Sequence, residues 1–329
     1  MLVLALALMC GPAAHAGGPL YVAGSGLNSG LAGTPLTWSN GQISYSTDQG
    51  DLSPILRQSA ANAFVADAFS RWTSVSTAAL SATRAGQLDQ DVSGANVTLA
   101  GTVLTMPADI RPDSAKPFAI VYDADGKVID ALLGAGASNS QNCMANAVIG
   151  GPDRFTDDAH IAHALLILNG NCATSADLAL LRYSLVRMIG RSLGLDWSQL
   201  NDNVFTSPPS TSEDQAGFPL MHPQGSLCSL GYGCVPNADQ LRMDDRAAIS
   251  RLYPVTAEDL AQFPGKSVFS AATARLRGRV LFPEWNGTPG VGMQGINVVA
   301  RYIVPATGAA SRSTAAASVS GSPRRFINS

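Results

Sequence analysis

Two stripes of large apolar side chains at helical spacing constrain this chain more than any other feature. Phe64, Val65, Ala68, Phe69 and Trp72 fall at i, i+1, i+4, i+5 and i+8, and Leu178, Leu181, Leu185, Val186 and Ile189 mark a second apolar face. A face that wide must be covered, so each helix has to lie on another apolar layer. The layer is supplied by runs that alternate or are continuously apolar, at residues 42–47, 96–103, 118–122 and 163–168, which read as strands. The expectation is an α+β fold in which two long helices pack on a mixed β-sheet. The first helix is expected to open at Ser53-Pro54, with proline at a tolerated first-turn position. The second is expected to be capped by Ser175, to carry Asp177 in its first turn and to run to about Gly194.

The N-terminus addresses the chain. Residues 2–9 are unbroken apolar sequence, followed by Gly11-Pro12 and Ala14-His15-Ala16, the core and small-x-small cleavage signal of a secretory peptide. No Lys or Arg precedes the run, and it is too short to span a bilayer as a helix. Residues 1–16 therefore read as a signal peptide, and no later stretch reaches the roughly 18 apolar residues of a membrane span. A secreted, periplasmic or cell-surface protein is expected. Cys10 leaves with the signal, which leaves Cys143, Cys172, Cys228 and Cys234. An even count in an oxidising compartment implies two disulfides, with three pairings open. Cys228–Cys234 closes a short loop and leaves Cys143–Cys172. No pair has CxxC spacing, so metal ligation by cysteine is not expected. Charged residues make up 14% of the chain, the net charge is -3 and no basic stripe occurs, so nucleic acid is excluded as an expected partner.

The remaining segments are less regular. Residues 17–41 are Gly-rich and read as an extended opening segment containing Trp38. Asp123-Ala124-Asp125-Gly126 reads as a hairpin turn with residues 127–130 as the return strand, or as half of a calcium loop. Phe218-Pro219-Leu220-Met221-His222-Pro223 reads as a turn, and residues 244–253 as a helix stopped by Pro254. Residues 255–272 read as a linker. Strands are expected at 276–282 and 296–304 around a Gly/Pro-rich span, while the Ala/Ser/Thr tail from Ala306 shows no completing strands. Two strands do not make a stable module, so residues 273–329 read as an incomplete β unit.

In this order of elements, the segment Arg187-Met188-Ile189-Gly190-Arg191-Ser192-Leu193-Gly194-Leu195-Asp196-Trp197 resembles the zinc-binding motif HExxHxxGxxH of the metzincin peptidases. Its framework of Gly190, Ser192 to Asp196 and Ser198 resembles that of the matrixin-type members, and Met221 resembles their Met-turn methionine. Tyr45-Ser46-Thr47-Asp48, Phe69-Ser70-Arg71-Trp72 and Asp244-Asp245 through Tyr253-Pro254 are also similar to matrixin sequence. The resemblance covers residues 35–254, and it implies for residues 17–254 a metzincin-like mixed sheet with two long helices and a Met-turn-like segment. It also implies zinc, held by two His one helical turn apart and a third His beyond a glycine turn, with a Glu as general base. At those positions stand Arg187, Met188, Arg191 and Trp197. A guanidinium has no lone pair to offer, and neither thioether nor indole replaces a carboxylate base or an imidazole. No metal, no cofactor and no catalytic residue is therefore expected. The mature chain has only His160, His163 and His222, and His160 and His163 would face opposite sides of a strand. No Gly-x-Ser-x-Gly elbow occurs in a strand–turn–helix context. Gly278-Arg279-Val280-Leu281 and residues 292–301 are similar to the opening of carboxypeptidase-regulatory-like, Ig-type β-sandwiches, which implies a spacer or adhesive unit.

The functional expectation is an exported, non-catalytic metallopeptidase-like protein with a binding or structural role at or outside the cell envelope, toward an unknown protein, peptide or glycan. The alternatives are an active secreted zinc metallopeptidase using an unrecognised site, or a spacer component of the envelope. Arg187 and Arg191 lie four apart on one helix face, so they either form an anion-binding groove or pair internally with an Asp such as Asp196 or Asp244. Trp197 suits both readings, since an indole there either stacks on a guanidinium or fills the vacated pocket.

Overall fold

The computed structural model describes residues 18–26, 29–198, 212–223, 227–229, 233–293, 295–319 and 326–327. The expected signal peptide at residues 1–16 lies outside the described residues, as does the Pro/Ser-rich stretch from Ser207 up to residue 211. In chain order the main elements are β1 (Gln42–Thr47), α1 (Gln58–Thr73), β2 (Ser81–Gln87), β3 (Phe118–Asp123), α2 (Lys127–Leu133), β4 (Val148–Phe155), β5 (His160–Asn169), α3 (Leu178–Ser192), α4 (Met243–Leu252), β6 (Asn297–Ile303) and β7 (Ala310–Val319). The protein has a mixed α/β fold built on a mostly parallel sheet. Strands β2, β1, β3 and β5 lie side by side in parallel, β4 is antiparallel to β5, and the short strand Thr37–Trp38 pairs parallel with the start of β5.

The continuous apolar run of β3 follows from burial on both faces. Phe118, Ile120 and Tyr122 enter the main core with α1 and α3, whereas Ala119 and Val121 join a second core with Val128, Ile129 and Ile167 on the opposite side. The stripe on α1 points into the main core as its spacing predicts, with Phe64, Val65, Ala68, Phe69 and Trp72 all buried. On α3, Leu181, Leu185, Val186 and Ile189 are fully buried, while Leu178 is half-buried at the first position.

Several expectations are corrected by local hydrogen bonding. Helix α1 begins at Gln58, not at Ser53-Pro54, because the Ser53 hydroxyl accepts the Leu56 N–H and holds a turn there. The carboxylate of Asp51 then receives the Gln58 N–H at 2.7 Å. Ser175 does not cap α3; Thr174 bonds to Asp177, which occupies the capping position. Residues 127–130 are not a return strand but the first turn of α2. The two carboxylate oxygens of Asp123 accept the Val128 and Ile129 N–H groups at 3.1 and 2.8 Å, satisfying donors that every helix start leaves orphaned. Gly126 permits this turn with φ of +75°. The acidic turn is thus the start of a helix and not a hairpin. Residues 96–103 are not one strand but most of a small hairpin, Thr98–Ala100 with Val103–Thr105.

Residues 255–272 are not a free linker. Val255 and Phe263 are buried against Ala79, and the Lys266 ammonium donates to the Thr73 and Val75 carbonyls at the end of α1. The tail is also not strandless: β7 pairs antiparallel with β6. Its small side chains sit close to the body, where Ala317 is buried in the main core and donates its N–H to Asp244 at 2.8 Å. Arg312 forms an ion pair with buried Asp214 at 2.7 Å. The expected strand at 276–282 is confined to Leu281–Pro283, paired with Pro289–Gly292.

The disulfides are Cys143–Cys172 and Cys228–Cys234. The first ties the helical turn Cys143–Asn146 to the connection between β5 and α3, and the second closes a two-residue ladder. Among the described residues, no helix is long and apolar enough to cross a membrane.

Candidate functional site

The C-terminal half of α3 is fixed from three directions. The Trp72 indole N–H donates to the Val186 carbonyl at 2.8 Å, across the line where α1 meets α3. Gly190 lies where no side chain fits, since a Cβ there would stand 2.4 Å from the Trp72 ring and 2.8 Å from the Met221 sulfur. The last carbonyls, which a helix cannot satisfy internally, are taken by the Trp38 indole on Ser192 at 2.8 Å and the Tyr253 hydroxyl on Leu193 at 2.7 Å. Gly194 then reverses the chain with φ of +92°. The Leu195 N–H returns to the Gly190 carbonyl and the Gly194 N–H to Arg191, closing a Schellman motif.

Beyond this turn the chain passes back along the helix. Asp196 donates its N–H to Gly18, and Ser198 donates to the carbonyl of Met221 at 2.8 Å. The turn at residues 218–223 is held by Asp245 of α4, whose carboxylate accepts the N–H groups of Leu220, Met221 and Arg242 at 2.9, 3.0 and 2.8 Å. Adjacent Asp244 accepts the Ser198 hydroxyl at 2.5 Å as well as the Ala317 N–H. Two neighbouring acids on one helix therefore brace the turn, the returning segment and the C-terminal hairpin.

Within this scaffold Arg187, Arg191 and Trp197 meet. The guanidinium centres of Arg187 and Arg191 stand 4.7 and 4.5 Å from the Trp197 ring centroid, and Arg187 also lies 5.0 Å from the ring of Tyr183. These are cation–π distances. Arg191 forms an ion pair with Asp196 at 2.5 Å, with only 13% of the Arg191 side chain exposed. Arg187 donates through Nη2 to the His222 carbonyl, while its Nε is buried with no hydrogen-bond partner. Burial pulls its pKa down. Of the two candidate carboxylate partners, Asp196 takes the role; Asp244 is occupied with Ser198 and Ala317. Pairing with an internal Asp thus holds for Arg191, whereas Arg187 meets the His222 carbonyl and, among the described residues, no carboxylate. Met188 is half-buried and packs against the main core.

These residues do not fit a zinc ion. The three side chains at the ligand positions of the resemblance carry no donor lone pair suited to zinc, and two are cations. The histidines do not compensate. His163 is fully buried, with Nδ1 2.5 Å from Asp153 and Nε2 without a hydrogen-bond partner. His160 lies half-buried with Nδ1 3.2 Å from the Thr37 carbonyl, and His222 packs edge-on against Phe218. Among the described residues, no group of three His, Cys, Asp or Glu could hold a metal ion.

Sequence reading missed the bracing role of Asp245 and the equivalent role of Asp48. Asp48, at the end of β1, accepts the N–H groups of Gln49, Val92 and Tyr122 at 2.8, 3.0 and 2.9 Å. For Asp48 the signal was an acid at the end of an apolar strand with no basic residue near it along the chain; Asp245, between Arg242 and Arg246, gave no such signal. Burial pushes both carboxyls up to about 7, with the three N–H donors restraining the rise in each; Asp244 adds to it for Asp245, and Asp91 for Asp48. Both groups thus hold a proton more tightly folded than unfolded. Their contribution to stability is complete below the ordinary value of 3.8 and is lost as pH rises through about 7. The expected result is a melting temperature that falls steadily from pH 5 to pH 8. A melting temperature that rises over that interval would show these carboxyls to be ordinary acids.

Compared with known proteins, the chain matches no family model and no curated protein sequence.

Proposed function

We propose that this chain is a non-catalytic relative of the matrixin-type metallopeptidases, exported from the cytoplasm, with a binding or structural role. One observation carries the reading. The three positions that the resemblance assigns to zinc converge on one point, yet they are filled by two guanidiniums stacked on one indole and locked by Asp196. A site that once accepted a dication would be built this way if its ligands had been replaced while its frame was kept. Three further features support the reading: a helix ended by Gly194, a returning segment, and a turn that sets Met221 under the helix at Gly190. The two disulfides support export. We read residues 273–329 as the opening strands of a carboxypeptidase-regulatory-like module, supported by the β6–β7 pairing.

The expected result for the protein purified from a secreted or periplasmic fraction is less than about a tenth of an equivalent of zinc, and no metal-dependent peptidase activity. Close to one zinc per chain after dialysis, or chelator-sensitive cleavage of a peptide substrate, would remove the reading.

A further inference from the structure

We infer that a second site, away from the arginine–tryptophan cluster, binds an extended acidic peptide. The site is a cleft of about 1150 Å³ between the end of α1, helix α4, the segment after Phe269 and the face of the C-terminal hairpin. Four arginines line it, Arg71, Arg246, Arg251 and Arg275, and no Asp or Glu does. That is an unusual concentration in a chain with 21 basic residues, 24 acidic ones and a net charge of -3. Arg71 is matched by Asp239 at 3.0 Å and Asp67 at 3.4 Å. Arg246 and Arg275 are exposed and make no ion pair among the described residues. The helix-end carbonyls that would repel an anion at this edge, those of Thr73 and Val75, are already covered by the Lys266 ammonium.

The lining also decides between ligand classes. Guanidinium forks grip carboxylates by paired hydrogen bonds, which suits Asp and Glu side chains and uronic acids alike. Between the arginines, however, stand Val75, Leu241, Met243 and Leu276, with Phe269 as the one aromatic ring. Aliphatic side chains outnumber the flat faces on which sugars stack, and Leu276 is 82% exposed at the rim. The small side chains of Ala300 and Ala316, paired across β6 and β7, also line it. A cleft lined by both arginines and aliphatic side chains, with no acid among them, fits a chain that alternates acidic and apolar side chains. The inference goes beyond the non-catalytic reading and does not depend on it, since a zinc-loaded protein with this cleft would bind the same ligand.

The test uses the intact secreted chain and a fluorescein-labelled peptide of alternating Glu and Leu, followed by fluorescence polarisation in low salt. Saturable binding is expected, with a peptide carrying Gln for every Glu binding at least about tenfold more weakly. Arg246→Glu with Arg275→Glu should also weaken binding at least about tenfold, because like charges then face the ligand. Arg275→Glu alone, at a position outside any helix or strand, keeps the test sound if the double change disturbs α4. Absence of binding by the intact chain, equal binding of the Glu and Gln peptides, or undiminished binding by the folded variants overturns the inference. Binding of polygalacturonate in place of the peptide overturns the assignment to a peptide.

Discussion

Replacing Asp245 by alanine is expected to lower the free energy of unfolding by about 4 kcal/mol, the largest effect of any single polar change in this molecule. The carboxylate is buried and receives three backbone N–H groups, from Leu220, Met221 and Arg242. Alanine leaves the Leu220 and Met221 donors without that partner in buried surroundings and the Arg242 donor in part-buried ones, and each buried orphaned group costs roughly 1–3 kcal/mol before relaxation. Part of the loss is offset, because burial already makes the ionised carboxyl costly and its removal relieves the neighbouring Asp244. Asp245→Asn should fall between the two. One amide oxygen can still accept, but the NH₂ group must face a backbone donor, since Oδ1 takes Met221 and Oδ2 takes Leu220 and Arg242. Denaturant unfolding at neutral pH measures both. A loss below about 1 kcal/mol for the alanine variant would mean that the turn at residues 218–223 is not held in this way.

The second large effect is expected from the double change Arg187→Met and Arg191→Met, which should cost about 3 kcal/mol. Arg191 loses its pairing with Asp196, and Arg187 leaves the His222 carbonyl without its charged donor. The three cation–π contacts with Trp197 and Tyr183 are lost together. Methionine restores apolar contact with the rings, and Asp196 is 31% exposed, so it regains solvation in part; both moderate the loss. The two single changes should not sum to the double, because both arginines share one indole. Were the arginines instead an open anion site, the double change would leave stability within about 0.5 kcal/mol of the parent.

Most of the scaffold was legible where side-chain size and periodicity coincide. The buried faces of α1 and α3, the apolar strand β3 and the two cysteine pairs follow from spacing alone. The rest was hidden for definite reasons. Strand β4 contains Gly150, Gly151 and Pro152, which break a strand pattern, yet it persists because β5 supplies a long antiparallel partner. Strand β2 is a polar, largely exposed edge with no alternation to find. Strand β7 is mostly Ser, Thr and Ala, with Arg312 and Val319, and only its contact with the body reveals why small residues suit it. Helix α2 was masked by an Asp-Gly turn signal, since the same local chemistry opens a hairpin or caps a helix and the tertiary site of Val128 and Ile129 decides. At the site itself, the positions of Arg187, Arg191 and Trp197 could be compared with a motif. Their mutual contact depends on the Gly194 reversal and on the long-range brace from Asp245, neither of which spacing records.

The most direct test of the central claim is the zinc content of a fourfold variant, Arg187→His, Met188→Glu, Arg191→His and Trp197→His, beside that of the parent chain. If the frame is that of a metal site whose ligands were replaced, two imidazoles one helical turn apart and a third beyond the Gly194 turn should meet with tetrahedral access to one ion. The expected result is close to one equivalent of zinc retained through dialysis by the folded variant and less than about a tenth of an equivalent in the parent. A folded variant that takes up no zinc, or a parent chain that already holds one, would contradict it.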